Sequence, residues 1–515
     1  MQPDAFQRPW ALILLAILIL AGLFVNLGGV PLFDEDEGAY AEVTHEMLQS
    51  GDLLVPHLEG KTFFHKPPMI YWTQAACVYL LGLNEFALRL PSALASLLWA
   101  ILLFLFLRRH GSAQSAWLAP FFLVTALQTG IIAKAAIADA LLNLFIAATM
   151  LAFYEYIHGG RKFYLWCAFG AMALGFLTKG PIAVAIPAVT GTVYFIFQKQ
   201  FMRWLKMGFD PIGWLVFLLL ALPWYVALYA KFGGPFIKEL ILVHNLGRFQ
   251  GAMEGHSGPF FYYLPVILLG LLPYTTLLFV AGRETKTIWF DPLGRFLLIW
   301  FGFVLVLFSM ADTKLHHYIV YGYVPLLIFM AQHAARAKRT WTLLAPAIFF
   351  MLLLWLVPLI AGWIAPSISD EFARVVITGA KEEFDATYYI MAGLALVAVI
   401  AVGWWKKFDL PVKLILTGII FAVLINGYVT PKVAAIMQAP VKSAALLARE
   451  KGYDVVMWQM NYPSFGVYYG RPVLRRQPQP GDVVITKASK LKDIKQYQIL
   501  YEKHGVVLTR VLQLK

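Results

Sequence analysis

A chain of 515 residues that is 60% hydrophobic and only 14% charged, with a mean hydropathy of +0.68, cannot present an ordinary water-facing surface, because soluble domains carry about a quarter charged residues. The net charge of +13 does not mark a nucleic-acid partner, since the Lys and Arg residues cluster between apolar runs and so report topology. The two cysteines, Cys77 and Cys167, sit in apolar stretches as small packing groups and cannot build a cross-linked framework.

In chain order, a short polar segment with Arg8 precedes an apolar run over 10–25 that reads as an uncleaved signal anchor. The segment 31–66 that follows is rich in carboxylates and bounded by proline. The apolar stretch 69–83 follows Pro67-Pro68 and is short for a span; if it crossed, every later basic loop would change sides, so it is predicted to be an interfacial helix. Further spans are expected near 88–107, 113–133, 137–157, 163–178, 181–198, 212–230, 259–281, 293–311, 316–334, 341–364, 388–405 and 411–429, about 13 in all on the length criterion.

Alternate connections carry the basic residues: Arg108/Arg109, Arg161/Lys162, Lys199/Arg203/Lys206, Arg283/Lys286, Arg336/Lys338/Arg339 and Lys406/Lys407. The positive-inside rule puts these in the cytoplasm and the acidic loop and C-terminus outside. From about residue 431 an amphipathic stretch at 441–451 and strand-like runs at 454–458, 482–486 and 506–511 predict a soluble unit. The fold class is therefore an all-α polytopic membrane protein with a small C-terminal periplasmic α/β domain. The expected division is 1–430, with 31–87 as an outer loop carrying interfacial helices, and 431–515.

The residues able to do chemistry gather on the outer face. Asp34, Glu35, Asp36 and Glu37 are consecutive acids directly after the first span. They read either as an acidic first helical turn complementing the helix dipole or as a set from which one carboxylate faces a cavity as general base or cation ligand. Lys66 lies on the outer side against the topological bias, in Phe63-Phe64-His65-Lys66-Pro67-Pro68. It either snorkels to headgroups or binds a lipid phosphate. Lys134 and Lys179 are likewise outer-face cations at span ends, Asp139 just inside a span must face protein or water, and Arg248, Lys314, His316 and His317 complete the set.

No His pair shows a metal-ligand spacing, so a divalent cation would need a site assembled across loops, for which His65 and His244 are the weak candidates. No cofactor is otherwise indicated. No Gly-rich phosphate loop stands in a strand–helix context, which argues against a soluble nucleotide-sugar donor.

The segments Asp36-Glu37-Gly38-Ala39-Tyr40-Ala41-Glu42, Met47-Leu48-Gln49-Ser50-Gly51-Asp52, His65-Lys66-Pro67, Leu177-Thr178-Lys179-Gly180, and Arg248-Phe249 with 259–265 follow one another in an order that resembles the aminoarabinose transferases and the related protein O-mannosyltransferases. The resemblance covers about residues 10–335 in motif order. It implies a C-type glycosyltransferase fold and a periplasmic cavity that accepts a polyprenyl-phosphate sugar. It further implies that Asp36 is the catalytic carboxylate with Glu37 beside it, and that Lys66 contacts the carrier phosphate. Tyr40, Asp139, Lys179, Arg248 and Lys314 are expected to line the substrate site. The chain departs from the aminoarabinose transferases in carrying His65 where they have Glu before Lys-Pro, and Ala39 where they have Arg before Tyr.

The expected function is transfer of a sugar from a polyprenyl (undecaprenyl) phosphate, by inverting displacement, to a periplasmic-face acceptor such as lipid A, another envelope glycolipid or a protein, in the bacterial inner membrane. The competing class is a lipid-linked sugar transporter or flippase, which expects charges near the bilayer midplane. A structural envelope subunit would leave the collinear motifs without a cause.

Overall fold

A computed structural model describes residues 9–240, 243, 247 and 257–515. Among the described residues eight helices are long and apolar enough to cross a membrane: Glu85–His110, Asp139–Gly159, Pro211–Phe232, Pro292–Met310, His316–Arg336, Thr340–Ser367, Ala386–Trp404 and Leu410–Met437. The apolar helices Pro9–Phe24, Met69–Leu81, Ile182–Phe197 and Phe260–Gly270 are shorter. The chain is a multi-pass membrane protein. Thr340–Ser367 and Ala386–Trp404 bury only 28% and 22% of their apolar spans, leaving Leu352, Leu359, Leu394 and Val397 exposed where lipid replaces water.

Five of the 13 expected spans are not among these eight. Those at 10–25, 163–178 and 181–198 form the continuous helices Pro9–Phe24, Lys162–Lys179 and Ile182–Phe197, which are shorter or carry lysines at their ends. The other two are broken, and the breaks meet. The run at 113–133 divides into Ala113–Thr125 and Leu127–Ile132, and the run at 259–281 into Phe260–Tyr262, Tyr263–Gly270 and Thr276–Gly282 around Pro273. The amide freed at Leu127 donates to the carbonyl of Leu272 at 2.9 Å. Gln128 donates to the His316 carbonyl at 2.7 Å and accepts from Tyr323 at 2.6 Å. Interrupted helices are tolerated at membrane depth when their freed backbone groups find such partners.

The acidic segment forms the helix Asp36–Ser50, which ends where Gly51 takes a left-handed conformation at φ 72°. It packs against Met69–Leu81, whose far end exposes Tyr79 (85%) and Leu80 (77%). That exposure fits the interfacial helix expected there. Between the two helices lies a short hairpin of β1 (His57–Leu58) and β2 (Lys61–Thr62).

Contacts sort the connections into two opposite ends. At one, Arg109 reaches Glu155 and Tyr164, Lys162 reaches Asp210, Arg203 reaches the Ile157 carbonyl, and Arg336 pairs with Glu284. At the other lie the acidic loop, the Asp385–Lys432 pair and a four-stranded sheet.

The sheet runs β3 (Val455–Met457), β4 (Val483–Lys487), β6 (Val506–Leu514), β5 (Ile494–Lys503) in spatial order. β3 and β4 are parallel, crossing over through the helix Ser464–Tyr469, and the remaining pairs are antiparallel. Val455, Met457, Ile485 and Leu508 pack on Val441, Ala444, Ala445 and Ala448 of the helix Ala439–Glu450. Three strands agree with the sequence pattern. β5 is an edge strand with most of its residues exposed, so it lacks the alternation that would have announced it. The helix Glu371–Glu383 also lies at this end, with Glu383 and Glu371 facing Lys503 and Lys492 of the sheet region.

Cysteines introduced at positions 52 and 490 are therefore expected to react with a membrane-impermeant thiol reagent from one side, and one at 338 from the other. Labelling of all three from the same side of sealed vesicles would contradict this arrangement.

Candidate active site

The four consecutive acids meet four different environments: Asp34 and Glu35 precede the helix Asp36–Ser50, and within it neighbouring side chains are turned by about 100°. Asp34 accepts from the Ser464 amide at 3.0 Å and from the Ser464 hydroxyl. Burial pushes its carboxyl up to about 7, the two Ser464 hydrogen bonds pulling the other way. Glu35 accepts from Asn461 Nδ2 at 2.8 Å. Glu37 is buried and fully engaged: Oε1 accepts from Arg89 Nε at 2.8 Å and the Ala136 amide at 2.6 Å. Its Oε2 accepts from Arg89 Nη2 at 2.7 Å and the Phe33 amide at 2.8 Å. Burial alone would raise the Glu37 carboxyl; the Arg89 charge and these hydrogen bonds outweigh it and hold the group below the usual carboxylate range.

Asp36 is the acid left over. Among the described residues its carboxylate makes no hydrogen bond, and it lines two cavities at once. One, of about 210 Å³, is mainly apolar and is bounded by Leu27, Val30, Ile131, Ile132 and Lys134. The other, of about 730 Å³, is more polar and bounded by Tyr40, His65, Lys66, Asp139, Lys179, Lys314, His316 and His317. The surrounding protein raises the Asp36 carboxyl, the Asp139 charge raises it further, and Lys179, His316 and Lys66 act in the opposite direction. A carboxylate moved toward neutrality is a better proton acceptor at working pH.

Asp139 and Lys179 are brought together. Lys179 Nζ donates to Asp139 Oδ1 at 2.8 Å, and Tyr321 donates to the same oxygen at 2.7 Å. His317 Nε2 stands 3.8 Å away. All four groups are buried, so the wall of the larger cavity here is an internally neutralised ion pair. Lys314 is turned to the Ser309 and Ala311 carbonyls at 2.8 and 2.7 Å, at the C-terminal end of Pro292–Met310 where the dipole favours a cation. Tyr40 lies against Tyr71, ring centroids 5.9 Å apart, and His65 stacks on Phe63 at 4.0 Å. Arg248 and His244 lie outside the described residues, and so does half of the weak metal pairing. Among the described residues no group of three His, Cys, Asp or Glu side chains could hold a metal ion.

Sequence reasoning missed Arg89, Tyr321, Asn461 and Arg475. Arg89 carried a usable signal, since an arginine inside an apolar run needs a buried partner. Tyr321 looked like any tyrosine in a span, and Asn461 and Arg475 reach the cavity only through tertiary packing of the distant sheet.

The architecture is a C-type glycosyltransferase fold. It superposes on the crystal structure of ArnT from Cupriavidus metallidurans bound to undecaprenyl phosphate with a TM-score of 0.80 at 19% identity, over 97% of each chain. The dolichyl-phosphate-mannose-protein mannosyltransferase family matches residues 9–235. In sequence the chain is similar to undecaprenyl phosphate-alpha-4-amino-4-deoxy-L-arabinose arabinosyl transferases. That of Aeromonas hydrophila is 34% identical over 333 residues, 63% of this chain and 59% of the relative. That of Serratia proteamaculans is 33% identical over 339 residues, 64% of this chain and 60% of the relative. The matched region thus spans about three fifths of these relatives' length.

The Glu37–Arg89 pair gives a stability prediction. Arg89→Ala strands a buried carboxylate and is expected to cost roughly 3–5 kcal/mol. Glu37→Gln combined with Arg89→Met, which strands no charge, is expected to recover much of the loss. Thermal unfolding in detergent checks both; an Arg89→Ala variant as stable as wild type would remove the pair from its structural role.

Proposed function

We propose that this chain is an integral membrane glycosyltransferase of the bacterial inner membrane, working at the periplasmic face. It takes a sugar from a polyprenyl (undecaprenyl) phosphate donor and passes it to an acceptor such as lipid A, another envelope glycolipid or a protein. The single observation that carries this reading is that Asp36, alone among four consecutive acids, keeps an unengaged carboxylate, and that it sits where an apolar cavity and a polar, cation-bearing one meet. One space suits a lipid-like group and the other a sugar and phosphate.

The acceptor oxygen attacks the anomeric carbon as the bond to the carrier phosphate breaks; the bonding pair leaves with the polyprenyl phosphate, and configuration inverts. If the acceptor is a hydroxyl, its proton passes to Asp36; if it is a phosphate, Asp36 instead stabilises the positive charge that develops on the sugar. Lys66, with Arg248, neutralises the departing phosphate, and Tyr40 and Lys314 bound the site. Asp139 and Lys179 act as a pair that shapes the wall. Glu37 holds Asp36 in place through Arg89. Asp139 begins one helix and Lys179 ends another, so the charges gather at helix ends, away from the midplane position that a transporter reading expects.

The positive-inside pattern orients the chain with the basic connections in the cytoplasm. Residues 1–430 form the transferase unit, with 31–87 as its outer loop, and 431–515 the periplasmic domain.

Asp36→Asn keeps size but removes charge and basicity, and is expected to lower transfer by about 10²–10⁴-fold with the fold intact. Asp34→Asn, which can still accept from Ser464, is expected to be mild. Transfer rate per folded molecule, with monodispersity checked in detergent, decides the matter: equal activities for the two variants would sink the assignment of Asp36.

For Lys66→Ala the expected change is in donor saturation. A charge-assisted contact worth about 1.5–3 kcal/mol corresponds to a donor KM raised roughly 10- to 100-fold. Lys407→Ala, in a basic connection at the opposite end, is expected to be silent. An unchanged donor KM in Lys66→Ala would show that this lysine only snorkels.

A further inference from the structure

The larger cavity is not built by the membrane helices alone. Asn461, Pro463 and Arg475, all from the sheet domain, line it together with Asp36 and Lys66. The backbone at Arg475 is fixed, because the residue sits in a parallel bridge opposite Met457 of β3, and the Met457 amide donates to the Leu474 carbonyl at 3.1 Å. The side chain is fixed as well. Nε is 2.7 Å from the Glu59 carboxylate, and Nη1 donates to Asn461 Oδ1 at 2.8 Å. Asn461 in turn donates to Glu35, the neighbour of Asp36. Glu59 does not yield easily, since its own amide and that of Gly60 are held by Glu46.

Two edges of the guanidinium fork are thus used for orientation, while Nη2 has no partner among the described residues and the side chain stays 41% exposed. Arg476 next to it behaves differently: both of its terminal nitrogens reach Asp482, at 2.7 and 3.1 Å, and it does not line the cavity. An arginine held in one orientation at the wall of a cavity, with a donor unused, is suited to an oxyanion, because its planar fork loses little freedom on binding.

We propose that Arg475 is a substrate-binding residue: it supplies an anion subsite for a phosphate group in the cavity, contributed by the sheet domain. This rests on the glycosyltransferase reading above and adds to it. Two sources share the chemistry, the phosphate of the lipid donor and a phosphate on the acceptor. The plain alternative is a latch, in which Arg475–Glu59 only fastens the sheet domain to the outer loop, and an ion pair so exposed adds little stability.

The test measures binding to the full-length protein, so that it does not depend on turnover. The probes are undecaprenyl phosphate, lipid A carrying both phosphates, and lipid A with the phosphates removed. Arg475→Ala is expected to weaken one phosphate-bearing probe by about 10- to 100-fold and leave dephosphorylated lipid A unchanged. Which probe weakens identifies the source. Glu59→Gln removes the ion pair while its amide oxygen can still accept from Arg475 and orient the fork, and is expected to bind as wild type or more tightly; Arg476→Ala is expected to change nothing. Arg475→Lys, which keeps charge but loses the fork, carries the test if the alanine variant fails to fold, with a smaller loss expected on the same probe. Wild-type binding of both phosphate probes by Arg475→Ala, or equal losses in Arg475→Ala and Glu59→Gln, would overturn the subsite while leaving the transferase reading standing. A wild-type protein that binds neither phosphate probe would overturn both.

Discussion

The buried pair of Glu37 and Arg89 is the constraint on which the rest of the site depends. Beyond its two contacts with Glu37, Arg89 donates to the carbonyls of Leu27, Val30 and Pro31, so the exit from the helix Pro9–Phe24 is fastened to the helix Glu85–His110. Glu37 adds the Ala136 amide and thereby the approach to Asp139. One ion pair ties together the end of the first helix, the start of the acidic helix, the span Glu85–His110 and the loop before the span Asp139–Gly159. Desolvating two charges is expensive, and the cost is offset only because every lone pair of Glu37 and all five guanidinium donors of Arg89 are satisfied. Since the helix sets the angle between neighbours, locking Glu37 inward leaves Asp36 no direction except the cavity.

The same logic of neutralised pairs shapes the opposite wall. Asp139 and Lys179 spend their charges on each other and on Tyr321. Lys179 also stands over the rings of Tyr318 and Tyr321, at 5.4 and 5.6 Å. Burial is the main cause that raises the Asp36 carboxyl, and Asp139 and Lys179 act on it in opposite directions, so the pair leaves it raised. A charged residue next to a cavity can therefore tune a site without touching substrate, and a list of conspicuous charges does not separate the two roles.

Much of this was legible in the sequence, for reasons that can be named. Apolar runs and the alternation of basic connections follow from the bilayer as solvent, so the multi-pass fold, a short apolar helix after Pro67-Pro68 and the C-terminal change to strands were readable. The number of continuous spans was not, because hydropathy measures apolar length and is blind to a break whose amide is rescued by a distant carbonyl, as at Leu127 and Leu272. Of the outer-face residues singled out in the sequence, Tyr40, His65, Lys66, Asp139, Lys179 and Lys314 line one cavity with Asp36. Their partnerships were hidden: Asp34 meets Ser464 across 430 positions and Glu35 meets Asn461 across 426. No local pattern encodes a contact at that separation.

Those long-range contacts bear on how wet the cavity is. The acidic loop emerges directly from the first span, and on its own an exposed run of four acids would be solvated and mutually repelled. The sheet domain buries Asp34 under Ser464 and engages Glu35, while Glu59 of the hairpin holds Arg475 from the opposite side. The domain thus displaces water from one acid and supplies hydrogen bonds to another, leaving Asp36 between the two cavities. In a reaction where a sugar leaves its carrier phosphate, stray water is a competing acceptor, and its exclusion also strengthens every charge–charge term within the site. Folding then carries a condition: the cavity is complete only when the last part of the chain has docked on the first. The residues that bury Asp34 and those that complete the cavity belong to the same docked segment, so neither is in place without the other.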